Sequence, residues 1–192
     1  MITTNRRRQF GEVDDRIKII HPQWWHIKFK TTSADTVISA NDWHFGVSVK
    51  EVVAAPDGGT VKGGGTLSVD SAGEYEIFAT ISTSANTAMH HGYNMIEYIR
   101  LPKPYSSNSY LRPFYGYGGG GKQELMTHVY LINDTPPTGP SNSALQAVMV
   151  PKLTIYIPKG SLQNYLNNAN TNWKTLYNAG RLIEVKYKII ED

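Results

Sequence analysis

The chain contains no cysteine, which excludes disulfides, thiolate nucleophiles and the common structural zinc sites. Charged residues are scarce, at 18%, so a disordered polyampholyte is excluded too. The net charge of +3 gives no argument for nucleic acid as a partner. No stretch nears the ~18–20 apolar residues of a membrane helix, so no membrane partner is expected. Arg6, Arg7 and Arg8 form a basic cluster near the start with no apolar run behind it, which is not the pattern of a secretory leader. The expectation is a protein made and kept in a cytoplasm, or released by lysis or as part of another assembly.

What the chain does have is β pattern and punctuation. Ile99-Arg100-Leu101-Pro102-Lys103 returns as Ile155-Tyr156-Ile157-Pro158-Lys159, with Val129-Tyr130-Leu131 between them and Ile77-Phe78-Ala79 before. Counted from their first residues, these triplets are 22, 30 and 26 residues apart. Apolar-x-apolar strands at such intervals mark a stacked repeat, although uneven spacing also fits an ordinary β-rich protein. A stack of this kind presents a surface, which points to binding or assembly.

Residues 1–22 read as an N-terminal arm. It is either a free tail or a segment that orders on a partner, since Ile17, Ile19 and Ile20 form a strand-like run. Residues 23–94 read as a β-rich cap domain. Trp25, Ile27 and Phe29 alternate with His26, Lys28 and Lys30 in a half-buried strand, and Tyr75, Ile77, Ala79 and Ile81 share one face of another. Pro56-Asp57-Gly58-Gly59 and Gly63-Gly64-Gly65 mark turns. Residues 95–192 read as a degenerate repeat domain with a C-terminal cap. There Ser161 is the expected N-cap of a short helix bearing Leu162, Tyr165 and Leu166. Trp173, Leu176 and Tyr177 begin a second helix, ended by Gly180. A last strand places Ile183, Val185, Tyr187 and Ile189 inward. A single helical turn is expected at 144–149.

The C-terminal third carries a resemblance. Val129-Tyr130-Leu131, Thr135-Pro136-Pro137, Leu153 to Ser161, then Tyr165, Trp173 and Ile183 together resemble the terminal repeat of BspA-like leucine-rich-repeat proteins of Bacteroidetes and their phages. In that family a Thr-Pro-Pro turn follows a short strand, a strand-turn opens a helix with a tyrosine, and a tryptophan-bearing turn leads to a last strand. Ile27 to Ser33 and Phe45-Gly46 are loosely similar to the β cap that precedes such repeats. The chain departs from the family in lacking its Ala-Phe-x-x-Cys signature and in its loop 105–122, so the stack is expected to be very short. The resemblance implies surface presentation, with no catalytic residues to transfer. It implies one of two settings, a phage particle or a bacterial surface.

Several constellations bear on chemistry. Gly116 to Gln123 is one residue from a P-loop, but Gln123 stands where the magnesium-binding hydroxyl belongs, so an aromatic-glycine loop is expected instead. Tyr105, Tyr110, Phe114, Tyr115 and Tyr117, set among Ser, Asn and Gly, form an adaptable contact surface or cover the core. His90 and His91 are adjacent and would face opposite ways on a strand, so no metal site is expected. Trp24, Trp25 and Trp43 stack on sugars or fill core and interface. Asp14-Asp15 and Glu74/Glu76 lack apolar surroundings that would tune a carboxyl for acid-base work.

The expectation is therefore a mainly β protein with an N-terminal cap, a short degenerate leucine-rich-repeat-like stack and a C-terminal helix-strand cap. It is expected to be no enzyme and to need no cofactor or metal. The function expected is a structural or attachment protein of a bacteriophage virion (a head or tail decoration, fibre or adaptor), assembled in the host cytoplasm; the alternative is a cell-surface adhesin or glycan-binding module. Expected partners are further copies of itself, other virion proteins and a host surface glycan or protein. Arg6, Arg7, Arg8, Phe10, Ile17 and Ile19 would attach the arm, and the tyrosine loop would make contacts.

Overall fold

A computed structural model describes residues 16–38, 46–82, 95–103, 127–136, 152–169 and 171–190. In chain order the strands are β1 (Ile17–Ile19), β2 (Trp25–Thr31), β3 (Asp35–Ile38), β4 (Gly46–Ala54), β5 (Val61–Lys62), β6 (Leu67–Val69), β7 (Gly73–Ser82), β8 (Ile96–Arg100), β9 (His128–Tyr130) and β10 (Thr154–Pro158). Helices α1 (Leu162–Leu166) and α2 (Asn172–Asn178) follow, then β11 (Leu182–Val185) and β12 (Tyr187–Ile189). The protein is mainly β, with a small helical segment before its last strands.

The alternation in β2 works as expected, burying Trp25, Ile27 and Phe29 and turning His26, Lys28 and Lys30 to the other face. Ile27 stands between Ile77 of β7 and Ile99 of β8, both strands antiparallel to β2. From β8 onward the pairing becomes parallel, through β9 and β10 to β11. The resulting seven-stranded sheet has the order β11-β10-β9-β8-β2-β7-β4. It runs unbroken through the expected boundary at 94/95, because β2 and β8 are hydrogen-bonded neighbours.

The recurring triplets explain the parallel half. Ile99, Val129 and Ile155 sit opposite one another in register, and Leu182 extends the row. All four are buried. Ile77-Phe78-Ala79 is the exception. It lies in antiparallel β7 and reaches the row through Ile27, so it is no member of the parallel stack. Apolar-x-apolar spacing reports a half-buried strand of either sense, which is why the four triplets look alike.

Parallel strands need cover. On the core face α1 and α2 supply Tyr165, Trp173 and Leu176, with the Tyr165 and Trp173 rings edge to face at 4.9 Å. The antiparallel half is covered by a three-stranded sheet, β3-β6-β5, which adds Val37, Leu67 and Val69 to the same core.

Three local expectations are corrected. Ser161 is the N-cap of α1, but its hydroxyl donates to the Pro158 carbonyl at 2.6 Å instead of capping. The Glu184 carboxylate does that work, accepting from the amides of Gly160 at 2.8 Å and Leu162 at 2.9 Å. The last strand is two strands, and its first part has the opposite phase: Leu182 is buried and Ile183 exposed. The parallel register with β10 sets Leu182 on Ile155, which overrides the alternation of Ile183 and Val185.

The arm residues Ile17 and Ile19 are held within the chain. β1 pairs in parallel with β12, Ile17 opposite Tyr187 and Ile19 opposite Ile189, and Ile19 is buried. Ile17–Ile19 is thus ordered against the chain's own last strand.

Candidate functional site

The face of the large sheet away from the core carries the middle residues of the triplets. In register across it stand His26, Arg100, Tyr130, Tyr156 and Ile183, and one step along stand Lys28, Tyr98, His128 and Thr154. Phe78 of β7 lies opposite His26.

These side chains form a continuous strip of rings. His21 stacks on Trp24 at 4.4 Å and meets Phe78 edge-on at 5.1 Å. Phe78 stacks on His26 at 4.5 Å, and His26 meets Tyr98 at 4.9 Å. Tyr98 lies 5.1 Å from Tyr130, and Tyr130 stacks on Tyr156 at 4.5 Å, with His128 stacked 5.7 Å from Tyr156. Rings on neighbouring strands about 4.8 Å apart naturally stack face to face. The Phe78 and His26 faces, and those of Tyr130 and Tyr156, are used on one another, while His21–Phe78 and His26–Tyr98 meet edge to face. The hydroxyls of Tyr98, Tyr130 and Tyr156 reach solvent and have no hydrogen-bond partner among the described residues. Burial raises the Tyr98 and Tyr130 phenols above their ordinary value, so both are protonated donors at neutral pH.

The charges beside the strip are mostly neutralised in place. Glu76 accepts from His26 Nε2 at 2.7 Å and lies 3.1 Å from Lys28 Nζ, and Glu74 accepts from Lys30 at 2.8 Å. Burial lowers the His26 imidazole to about 4, against the opposing pull of Glu76. The neutral ring therefore carries its proton on Nε2 and donates it. Burial would raise the Glu76 carboxyl, but the bonds from His26 and Lys28 outweigh it and hold it below the usual range.

Arg100 is different. It is 1% exposed and reaches no carboxylate among the described residues. Its Nη2 donates to the carbonyls of His21 at 3.1 Å and Trp24 at 3.2 Å, and its guanidinium lies 5.7 Å from the Phe78 ring centre. Nε and Nη1 are buried with no partner. A buried cation without a counter-charge costs several kcal/mol, only partly offset by two carbonyls and a ring. The turn above it is also under strain, since His21 is a non-glycine residue at φ 47°. An uncompensated charge and a strained turn meet at the same point of the strip.

Of the residues expected to make contacts, Tyr105, Tyr110, Phe114, Tyr115 and Tyr117 lie outside the described residues, as do Arg6, Arg7, Arg8 and Phe10. So do His90, His91, Trp43, Asp14, Asp15, the glycine run 116–123 and the turn at 144–149. Trp25 is core, while Trp24 is half-buried in the ring strip. Glu74 and Glu76 are ion-paired to lysines. Sequence reasoning did not single out Arg100, Tyr98, Tyr130 or Tyr156. The signal was available, because residues 100, 130 and 156 are the middle positions of the triplets and must share the face opposite the core. Among the described residues there is no cluster of metal-ligating side chains, and no helix is long and apolar enough to cross a membrane. The chain matches no family model, no curated protein and no solved structure.

Proposed function

We propose that this protein is a non-enzymatic attachment protein of a bacteriophage particle, a head or tail decoration, fibre or adaptor, that works by contact through the open face of its large sheet. The observation that carries the reading is the strip of stacked rings from Trp24 to Tyr156, with outward hydroxyls that no described residue engages. Tyrosine and tryptophan supply large, rigid contact area at low entropic cost. Glu74 and Glu76 beside the strip are tied to lysines, which suits a contact surface better than acid-base chemistry. The particle is one of the two settings that the resemblance of residues 129–183 to the BspA-like terminal repeat implies.

The test is quantitative mass spectrometry of gradient-purified particles, with gold-labelled antibody to locate the protein. A fixed copy number at one place on the particle supports the reading, and absence from particles overturns it. The aromatic strip also favours the second reading, an adhesin or glycan-binding module on a bacterial surface. That reading expects the isolated protein to bind cells or polysaccharide, and expects Tyr130→Ala/Tyr156→Ala to abolish the binding.

A further inference from the structure

Arg100 lies in the middle of the open face, between His26 on one side and Tyr130 on the other. The charges of Lys28 and Lys30 are met by Glu76 and Glu74, whereas the buried guanidinium reaches no carboxylate among the described residues. Two of its nitrogens are buried and unpartnered. Tyr130 and Tyr156 follow Arg100 in register on the next two strands, about 4.8 Å apart, and Tyr98 stands two residues back on its own strand; no described residue engages their hydroxyls. A ligand that repays this arrangement carries a carboxylate for the guanidinium and a series of hydroxyls for the phenols.

We infer that the open face binds a carboxylate-bearing glycan, an extended chain of acidic sugars laid across β8, β9 and β10, with one carboxylate on Arg100. The inference rests on the reading of this face as the contact surface and names the class of its partner. Guanidinium and carboxylate match in charge and geometry. Phenol hydroxyls exchange hydrogen bonds with sugar hydroxyls as both donors and acceptors. The Tyr130 and Tyr156 faces are stacked on one another, so sugars engage the edges of these rings and not the stacked faces. Over Arg100 lies the His21–Trp24 turn, held by two hydrogen bonds to Nη2 and strained at His21, and Tyr187 of β12 also stands near the guanidinium. Binding draws the guanidinium from beneath this turn. An acidic peptide offers the charge without the row of hydroxyls, which makes it the weaker fit.

The probe is an oligogalacturonate, titrated into the full chain by calorimetry, with a neutral malto-oligosaccharide of equal length as control. The expected result is binding of the acidic chain at least tenfold tighter than the neutral one. Arg100→Gln is expected to lower that affinity at least tenfold, and Arg100→Lys to retain part of it. Tyr130→Phe/Tyr156→Phe keeps the stack, removes two hydroxyls, and is expected to weaken binding several-fold with an unchanged Tm; it carries the test if Arg100 variants do not fold. Equal binding of the two probes, no binding of either, or wild-type affinity in both sets of variants overturns the inference. If it is overturned while Tyr130→Ala/Tyr156→Ala still abolishes attachment to cells, the face remains the contact surface and only the ligand class is wrong.

Discussion

His26 shows how one side chain ties the strip to pH. Its ring is packed between Phe78 and Tyr98 and donates to Glu76. Burial disfavours the charged form and lowers its titration from 6.5 to about 4 in the folded chain. Between those values the unfolded chain binds a proton that the folded chain does not, so stability falls as pH drops from 6.5 to 4 and is fully present above 6.5. The loss is at most about 3 kcal/mol. Glu76, held below its usual range, adds a loss of the same sign at still lower pH. Urea unfolding followed from pH 7 to pH 4 is expected to show this slope, and His26→Phe, which keeps a ring and removes the titration, is expected to flatten it. An equal slope in the variant would place the titrating group elsewhere.

At the scale of elements, the short helices depend on their ends. A five-residue helix is too short to hold itself, so the amides of its first turn need partners. Glu184, reaching from β11, accepts two of them while Ser161 turns its hydroxyl back to Pro158. Glu184→Ala is expected to cost about 1 kcal/mol, and Ser161→Ala less than an N-cap normally would, measured by chemical denaturation. At the other end of the helical segment, Gly180 follows α2 at φ 69° with open space around the position of a Cβ. The penalty there is backbone conformation alone. Gly180→Ala is expected to cost about 1 kcal/mol, and Gly180→Asn only a few tenths, because asparagine tolerates the left-handed region.

For the whole molecule, the small β1-β12 sheet joins segments from opposite ends of the described chain. An isolated pair of three-residue strands is marginal by itself, so its stability comes from what it packs against. Ile19 is buried, and its carbonyl accepts from the Ile190 amide at 2.8 Å. Ile19→Ala is expected to lower stability by about 2–3 kcal/mol, and hydrogen exchange at Ile190 is expected to accelerate in the same variant. Unchanged stability with fast exchange would show the small sheet to be an ornament on an independent core. The same pairing constrains the attachment reading, since Ile17 and Ile19 are engaged inside the chain and an arm that grips a neighbour must do so with other residues.

Much of this architecture was legible before any coordinates. Strand β2, the turn glycines, the helix bearing Tyr165 and the apolar-x-apolar pattern around Ile99, Val129 and Ile155 all follow from local rules of period two and chain punctuation. Local rules act over a few residues, and the residues in question carry them. Strand direction, the capping of α1 by Glu184 from 22 residues away and the pairing of β1 with β12 were not legible, because each depends on partners distant in sequence. The open face was half legible. That Arg100, Tyr130 and Tyr156 face away from the core is already written in the local pattern, since each stands between two buried apolar neighbours. That they lie side by side with Phe78, His26 and Tyr98, and that Arg100 meets no carboxylate among the described residues, came from the fold alone, because the order in which strands pair chooses every side chain's neighbours across the sheet.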